Sequence, residues 1–237
     1  MKIKWFKTID STNNRIARDK DGLADRTVYM TDFQTAGKGQ RGNGWESAKG
    51  ENLLFSILFK PTDITAEEQF VISQAVTLGI VGYVRSKGIG ARIKWPNDIY
   101  VGDRKICGIL IENSVNGHEL GSSIVGIGFN LNQLTFSPEI PNPVSLSSLT
   151  DVRYDLKEEL LALLRCIFEE YDRRSPQTGE RYTALLYRLG QPSTFIDTAS
   201  GAAFTGTIRG VDKTARVLID TEEGEKAFAF KEIQYVI

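Results

Sequence analysis

One twelve-residue segment limits the choice of folds more than any other. Gln34-Thr35-Ala36-Gly37-Lys38-Gly39-Gln40-Arg41-Gly42-Asn43-Gly44-Trp45 holds four glycines and two cations. It is too polar and too rich in glycine for a helix or a strand interior. It must therefore be a loop between two β-rich stretches, Thr27–Phe33 and Leu53–Phe59. Gly37-x-Gly39-x-x-Gly42 satisfies G-x-G-x-x-G, but a dinucleotide-binding fold needs a helix opening at the third glycine. Here the third glycine runs into Asn43-Gly44-Trp45, then Lys49-Gly50-Glu51-Asn52 and a strand. That excludes the Rossmann arrangement and leaves two readings. One is a flexible surface loop. The other is an anion cradle of backbone N–H groups flanked by Lys38 and Arg41.

The rest of the chain alternates strands and helices without a βαβ rhythm. Lys2-Ile3-Lys4-Trp5-Phe6 alternates as a strand, and Asp10-Ser11-Thr12-Asn13 caps a short helix to about Lys20. Thr65-Ala66-Glu67-Glu68 reads as a capping box that opens a helix to about Ser86. Ala91–Trp95 is a strand, Gly102-Asp103 turns the chain into Lys105–Glu112, and Asn116-Gly117 turns it again toward Gly126-Ile127-Gly128-Phe129-Asn130. Asp155 and Glu158 start a helix with Leu156, Leu160, Leu163, Leu164, Ile167 and Phe168 on one face, and Gly179–Leu189 reads as another. Beyond Gly190-Gln191-Pro192 come four short β segments punctuated by Gly201, Gly210 and Gly224. The expectation is an α+β chain. Residues 1–190 form a mixed sheet with helices on one side, and residues 191–237 form a small SH3-like β-barrel.

Composition excludes several classes of function. A net charge of −1 over 237 residues gives no global attraction to nucleic acid or anionic membrane, so any anion site is local. Cys107 and Cys166 have no metal or redox spacing and read as reduced and buried. His118, the one histidine, follows Asn116-Gly117 in a turn, which argues against a histidine-based triad or a multi-histidine metal site. The apolar stretch Phe70–Val84 is broken by polar residues and glycines and suits a core helix, not a membrane span. A cytoplasmic location follows by default.

A second motif joins the first. Lys94-Trp95-Pro96-Asn97-Asp98 continues to Arg104-Lys105-Ile106-Cys107-Gly108-Ile109-Leu110. Alone, the first five residues could be a strand end and a turn with no chemistry. However, the hairpin returns Lys105 toward Lys94, and two ammonium groups on one cleft repel unless an anion lies between them. Ser11, Thr12 and Asn13 read equally as a plain helix cap, and Trp45 as a core aromatic.

Taken together and in this order, the two motifs resemble the catalytic core of biotin protein ligases, and the resemblance covers nearly the whole chain. It implies ATP-dependent adenylation of biotin and transfer to a lysine of a biotin carboxyl carrier protein domain of a carboxylase. By the same resemblance Lys105, Lys94 and Asp98 are catalytic. Ser11, Thr12, Asn13, Gln34, Lys38, Gly39, Gln40, Lys105 and Gly108 face biotin. Lys38, Arg41, Trp45, Lys94, Asn97 and Asn130 face the nucleotide. Mg²⁺ would arrive with ATP, near Asp98, without an all-protein cage. In such ligases the glycine-rich loop closes over the bound intermediate. The family usually carries arginines where this chain has Lys38, Gln40 and Asn43, so a looser hold on the intermediate is expected, with Arg41 a candidate to compensate. Some relatives carry an N-terminal helix-turn-helix domain. Ser11-Thr12 lies close to Met1, so neither that domain nor DNA binding is expected. A lipoate–protein ligase is the nearest rival, but its Arg-Arg-x-x-Gly-Gly-Gly loop is absent. A non-enzymatic biotin or nucleotide sensor is the rival from another class. The oligomeric state, monomer or homodimer, stays open.

Overall fold

The computed structural model describes residues 2–40 and 43–237. Strands β1 (Lys2–Phe6), β2 (Thr27–Thr31), β3 (Leu53–Phe59), β4 (Arg92–Lys94), β5 (Asp98–Val101), β6 (Arg104–Asn116) and β7 (Glu119–Phe129) form one sheet. Its order is β1-β2-β3-β7-β6-β5-β4. β1 and β2 are parallel and the other neighbours antiparallel, which makes the sheet mixed.

Alternation along β7 separates the two faces. Val125, Ile127 and Phe129 join the main core, where helices α2 (Phe70–Ser86), α4 (Leu156–Asp172) and α5 (Thr178–Ala184) cover the sheet. Ile124 instead joins a small cluster with Leu58, Tyr29 and Ile16, the last from the short helix α1 (Thr12–Asp19). The long helices thus hold one face, and α1 covers part of the other. Strands β8 (Pro192–Asp197), β9 (Ala203–Val211), β10 (Val217–Thr221), β11 (Gly224–Phe228) and β12 (Ile233–Tyr235) form a second, antiparallel sheet ordered β11-β10-β9-β8-β12. Trp95 ties the two sheets together by donating its indole N–H to Ala215 O at 3.0 Å. Among the described residues no helix is long and apolar enough to cross a membrane.

Several element boundaries differ from the sequence expectation, each because tertiary bonds claim the backbone. Thr65 and Glu68 do bond reciprocally, but α2 starts only at Phe70. Ala66 N donates to His118 O at 2.9 Å, which ties this turn to the β6–β7 hairpin. The helix after Gly179 stops at Ala184, because Leu185 O and Tyr187 N both bond to Ile93 on β4. β5 stands between the two lysine-bearing strands. Helix α3 (Leu146–Thr150) and β12 are too short to leave a periodic pattern.

Two glycines of α2 give opposite expectations. A Cβ on Gly82 meets nothing within 4 Å, whereas one on Gly79 would lie 2.5 Å from Ile167 Cα on α4. Gly82→Ala should therefore stabilise by up to about 1 kcal/mol through helix propensity. Gly79→Ala should destabilise by about 1–3 kcal/mol, because backbone must move. Urea unfolding of the two variants checks the sign in each case.

Candidate functional site

Gly108 on β6 and Gly128 on β7 are register partners, and Gly126 pairs with Leu110 two places along. Without side chains, this stretch of sheet becomes the floor of a cavity of about 740 Å³. That volume suits a small organic ligand. The residues that the resemblance assigns to biotin, nucleotide and catalysis all line this one cavity except Arg41, which lies outside the described residues.

Lys105 reaches the cavity because of a β-bulge. Ile99 pairs with Cys107 but the next residue, Tyr100, pairs with Lys105, so Ile106 is an extra residue on β6. In a regular strand Lys105 and Gly108, three apart, would face opposite sides. The bulge puts them on the same side, where a Cβ on Gly108 would lie 3.1 Å from Lys105 Nζ. There Lys105 Nζ forms an ion pair with Asp98 at 2.8 Å. Asn130, buried, donates its backbone N–H to Ile106 O at 2.9 Å and its amide to Lys105 O at 3.4 Å, bracing the bulge. Cys107 faces the core, and burial pushes its thiol pKa well up, so it stays a thiol.

Lys94 lines the same end of the cavity, on β4, where its register partner is Asp98. Its Nζ bonds to Tyr100 Oη at 3.2 Å and sits over the rings of Tyr100 and Tyr235, at 4.9 and 5.1 Å. Burial raises the pKa of both phenols, so each hydroxyl stays neutral beside the cation. The second sheet thus supplies part of this wall, with Tyr235, Gln234 and Phe230 among its lining residues.

The described residues of the glycine-rich segment, 34–40 and 43–45, pair as the two arms of a hairpin and contribute to the cavity lining. Lys38 and Gly44 are bridged, Gly39 N donates to Asn43 O at 2.7 Å and Trp45 N to Gly37 O at 3.0 Å. Gln40 donates from Nε2 to Asn97 Oδ1 and to Ile109 O, and Asn97 Nδ2 donates to the same carbonyl at 2.7 Å. Trp45 rests on the glycine floor, where a Cβ on Gly128 would lie 2.2 Å from its Cε2. Its ring lies 5.6 Å from Lys105 Nζ, and its buried indole N–H has no hydrogen-bond partner among the described residues.

The far end of the cavity carries neutral polar groups. Ser11 caps α1, and Thr12 and Asn13 follow it, all three buried. Thr12 N donates to Gln34 Oε1 at 2.8 Å, joining the helix cap to the start of the glycine-rich segment. Capping and cavity lining coexist here. Sequence reasoning missed Phe136, Ile140 and Pro143, which line the cavity from the segment after β7, and all of the second sheet's contribution. Neither carries a local motif. The register bond Lys105 N to Asn142 O, at 2.7 Å, is what brings the first segment in.

A cavity with lysines at one end, neutral amides and hydroxyls at the other, and a glycine hairpin above defines a class of enzyme that activates a carboxylic acid with a nucleotide. The comparisons agree. Residues 5–130 match the Biotin/lipoate A/B protein ligase family. The bifunctional ligase/repressor BirA of Bacillus spizizenii is 28% identical over 97% of this chain and 73% of its own length. The biotin–[acetyl-CoA-carboxylase] ligase of Paracoccus denitrificans is 26% identical over 94% of this chain and 96% of its own. Among solved structures, the biotin protein ligase from Aquifex aeolicus in complex with biotin and ATP has a TM-score of 0.82, with 27% identity and 99% of each chain covered. The chain belongs to the Biotin/lipoate A/B protein ligase family, and its resemblance within it is to the biotin ligases.

Gly128→Ala should displace the indole from the floor, given the 2.2 Å approach. Acrylamide quenching of Trp45 emission, isolated by subtracting a Trp45→Phe control, should rise. Unchanged quenching would show that the indole does not rest there.

Proposed function

We propose that this protein joins biotin to ATP as biotinyl-5′-AMP and then transfers biotin to a specific lysine of a biotin carboxyl carrier protein. The observation that carries this reading is the placement of Lys105 and Lys94 on one cavity whose other end is the Ser11–Thr12–Asn13–Gln34 cluster. In the first step an oxygen of the biotin carboxylate attacks the α-phosphorus. The bond from that phosphorus to the bridging oxygen breaks, and pyrophosphate leaves. Two anions must meet, so fixed cations lower the barrier. Lys105 serves the carboxylate and the α-phosphate, and its partner Asp98 sets its position. Lys94 holds phosphate, and Asn97 and Asn130 orient the nucleotide, with Trp45 beside the base.

Mg²⁺ fits this site as a phosphate-borne ion. Among the described residues no group of three or more His, Cys, Asp or Glu stands close enough to hold a metal, and Asp98 is the carboxylate beside the lysines. Bound there, it would offset charge on the triphosphate oxygens. In the second step the neutral amine of the carrier lysine attacks the acyl carbon and AMP leaves. In this reading residues 1–190 carry the chemistry and residues 191–237 close the nucleotide end. A cytoplasmic location is part of this reading.

Lys105→Ala should cut biotin-dependent ATP–pyrophosphate exchange by about 10²–10³-fold, the effect of losing one preorganised charge. Exchange within tenfold of wild type, or exchange driven by lipoate in place of biotin, would overturn the assignment.

Gln40→Arg should slow release of pre-formed biotinyl-adenylate by about tenfold, roughly 1.4 kcal/mol, by adding a charge-assisted grip. Stopped-flow release from wild type, Gln40→Arg and Arg41→Ala separates this from compensation by Arg41. Compensation would leave the first variant unchanged and speed release from the second.

A further inference from the structure

Glu112 lies on β6 outside the motifs that marked the site, and its side chain is exposed. Even so, its Oε2 accepts a 2.7 Å hydrogen bond from Nδ2 of buried Asn13, which lines the cavity. Asn13 has little room to turn, since a Cβ on Gly126 would lie 2.3 Å from its Oδ1. Packing leaves open only which amide atom faces which way, and that choice is fixed chemically. A carboxylate only accepts, so Nδ2 faces Glu112 and the carbonyl of Leu110, and Oδ1 faces Ser56.

Proton direction follows from that orientation. Ser56 Oγ lies 2.6 Å from Asn13 Oδ1 and 2.6 Å from Thr12 Oγ1, but it has one proton. Oδ1 cannot donate, so the Ser56 proton goes to Asn13. The short contact with Thr12 is then donated by Thr12. The longer 3.2 Å contact from Thr12 Oγ1 to Gln34 Oε1 then receives no proton, because the single hydroxyl proton of Thr12 goes to Ser56 at the shorter distance. The Thr12 hydroxyl is thereby left with lone pairs, not a proton, for anything in the cavity.

We infer that Glu112 is a positioning residue for ligand selection: through Asn13 and Ser56 it makes Thr12 Oγ1 a hydrogen-bond acceptor. This rests on the biotin reading and deepens it. An acceptor here favours a ring that carries N–H donors, such as the cyclic urea of biotin, over a ring with none, such as a dithiolane. Glu112 itself does not line the cavity and acts only through Asn13. Removing it frees Asn13 to flip, which lets Ser56 and Thr12 reverse.

Calorimetric titration of biotin into wild type, Glu112→Ala, Glu112→Gln and Ser56→Ala tests this, with thermal melting as a control for folding. Glu112→Ala and Ser56→Ala should each raise the Kd for biotin by about tenfold, the scale of one lost hydrogen bond to a charged or buried group. KM for ATP and kcat at saturating biotin should stay within about twofold for Glu112→Ala. Glu112→Gln keeps an acceptor for Nδ2 and should restore most of the affinity. Wild-type affinity in Glu112→Ala, or equal losses in the Ala and Gln variants, would overturn the inference. So would a fall in kcat with Kd unchanged. If Glu112→Ala failed to fold, Ser56→Ala would decide alone, and wild-type affinity there would overturn the inference. Absence of biotin binding by wild type itself would instead overturn the functional reading.

Discussion

The site depends on a stretch of sheet that has no side chains. Gly108, Gly126 and Gly128 sit on adjacent strands and expose the β6–β7 backbone on the face away from the main core. Residues on the opposite face, such as Ile127 and Phe129, are buried and hold the strands in register. A bare patch on a well-anchored sheet gives a rigid floor that a flat group can approach closely. It must be covered by something else, and two elements cover it. Asn13 at the start of α1 fits against Gly126, and Trp45 of the hairpin fits against Gly128. A side chain at either glycine would collide with the element above it. The glycines therefore set the positions of both walls.

Electrostatics here is local. The chain has a net charge of −1, yet Lys38, Lys94 and Lys105 all line one cavity. Each of the two strand lysines has its own support. Lys105 is held by Asp98, whose register partner is Gly108, so the bulge that aims the lysine also brings it beside its counter-charge. Lys94 rests on two aromatic faces, one from each sheet, which stabilise a cation without neutralising it.

Much of this was legible because the informative residues are local. The glycine-rich segment, the two lysine motifs and the capping cluster at Ser11 each state their chemistry in a few consecutive residues, and the cavity unites them. Strand β3 and the apolar face of α4 were equally plain, because their patterns extend over several turns or pleats. What could not be read depends on register. The bulge at Ile106 leaves no mark in composition, yet it decides which way Lys105 points. Glu112 and Ser56 matter only because β6, β3 and α1 meet, at sequence separations of 43 to 99 residues. Tyr235 reaches Lys94 from a strand of three residues. Long-range placement of this kind carries no short-range periodicity for a sequence argument to use.

The neutral residue at position 40 has a structural consequence besides its effect on ligand grip. Gln40 spans the cleft to Asn97 and to the carbonyl of Ile109, so the hairpin is seated by ordinary amide hydrogen bonds. A guanidinium in its place would add a cation to a cavity already lined by Lys94 and Lys105. At separations of about 4–8 Å and an effective dielectric near 20, each such pair would cost about 2–4 kcal/mol until an anion arrived. A hairpin carrying arginine would thus be seated mainly by its ligand. One carrying glutamine can sit over the cleft without one. In the proposed reading an arginine at position 40 would both tighten the hold on a phosphate and penalise closing in its absence, so one side chain would set grip and ligand-dependence of closure together.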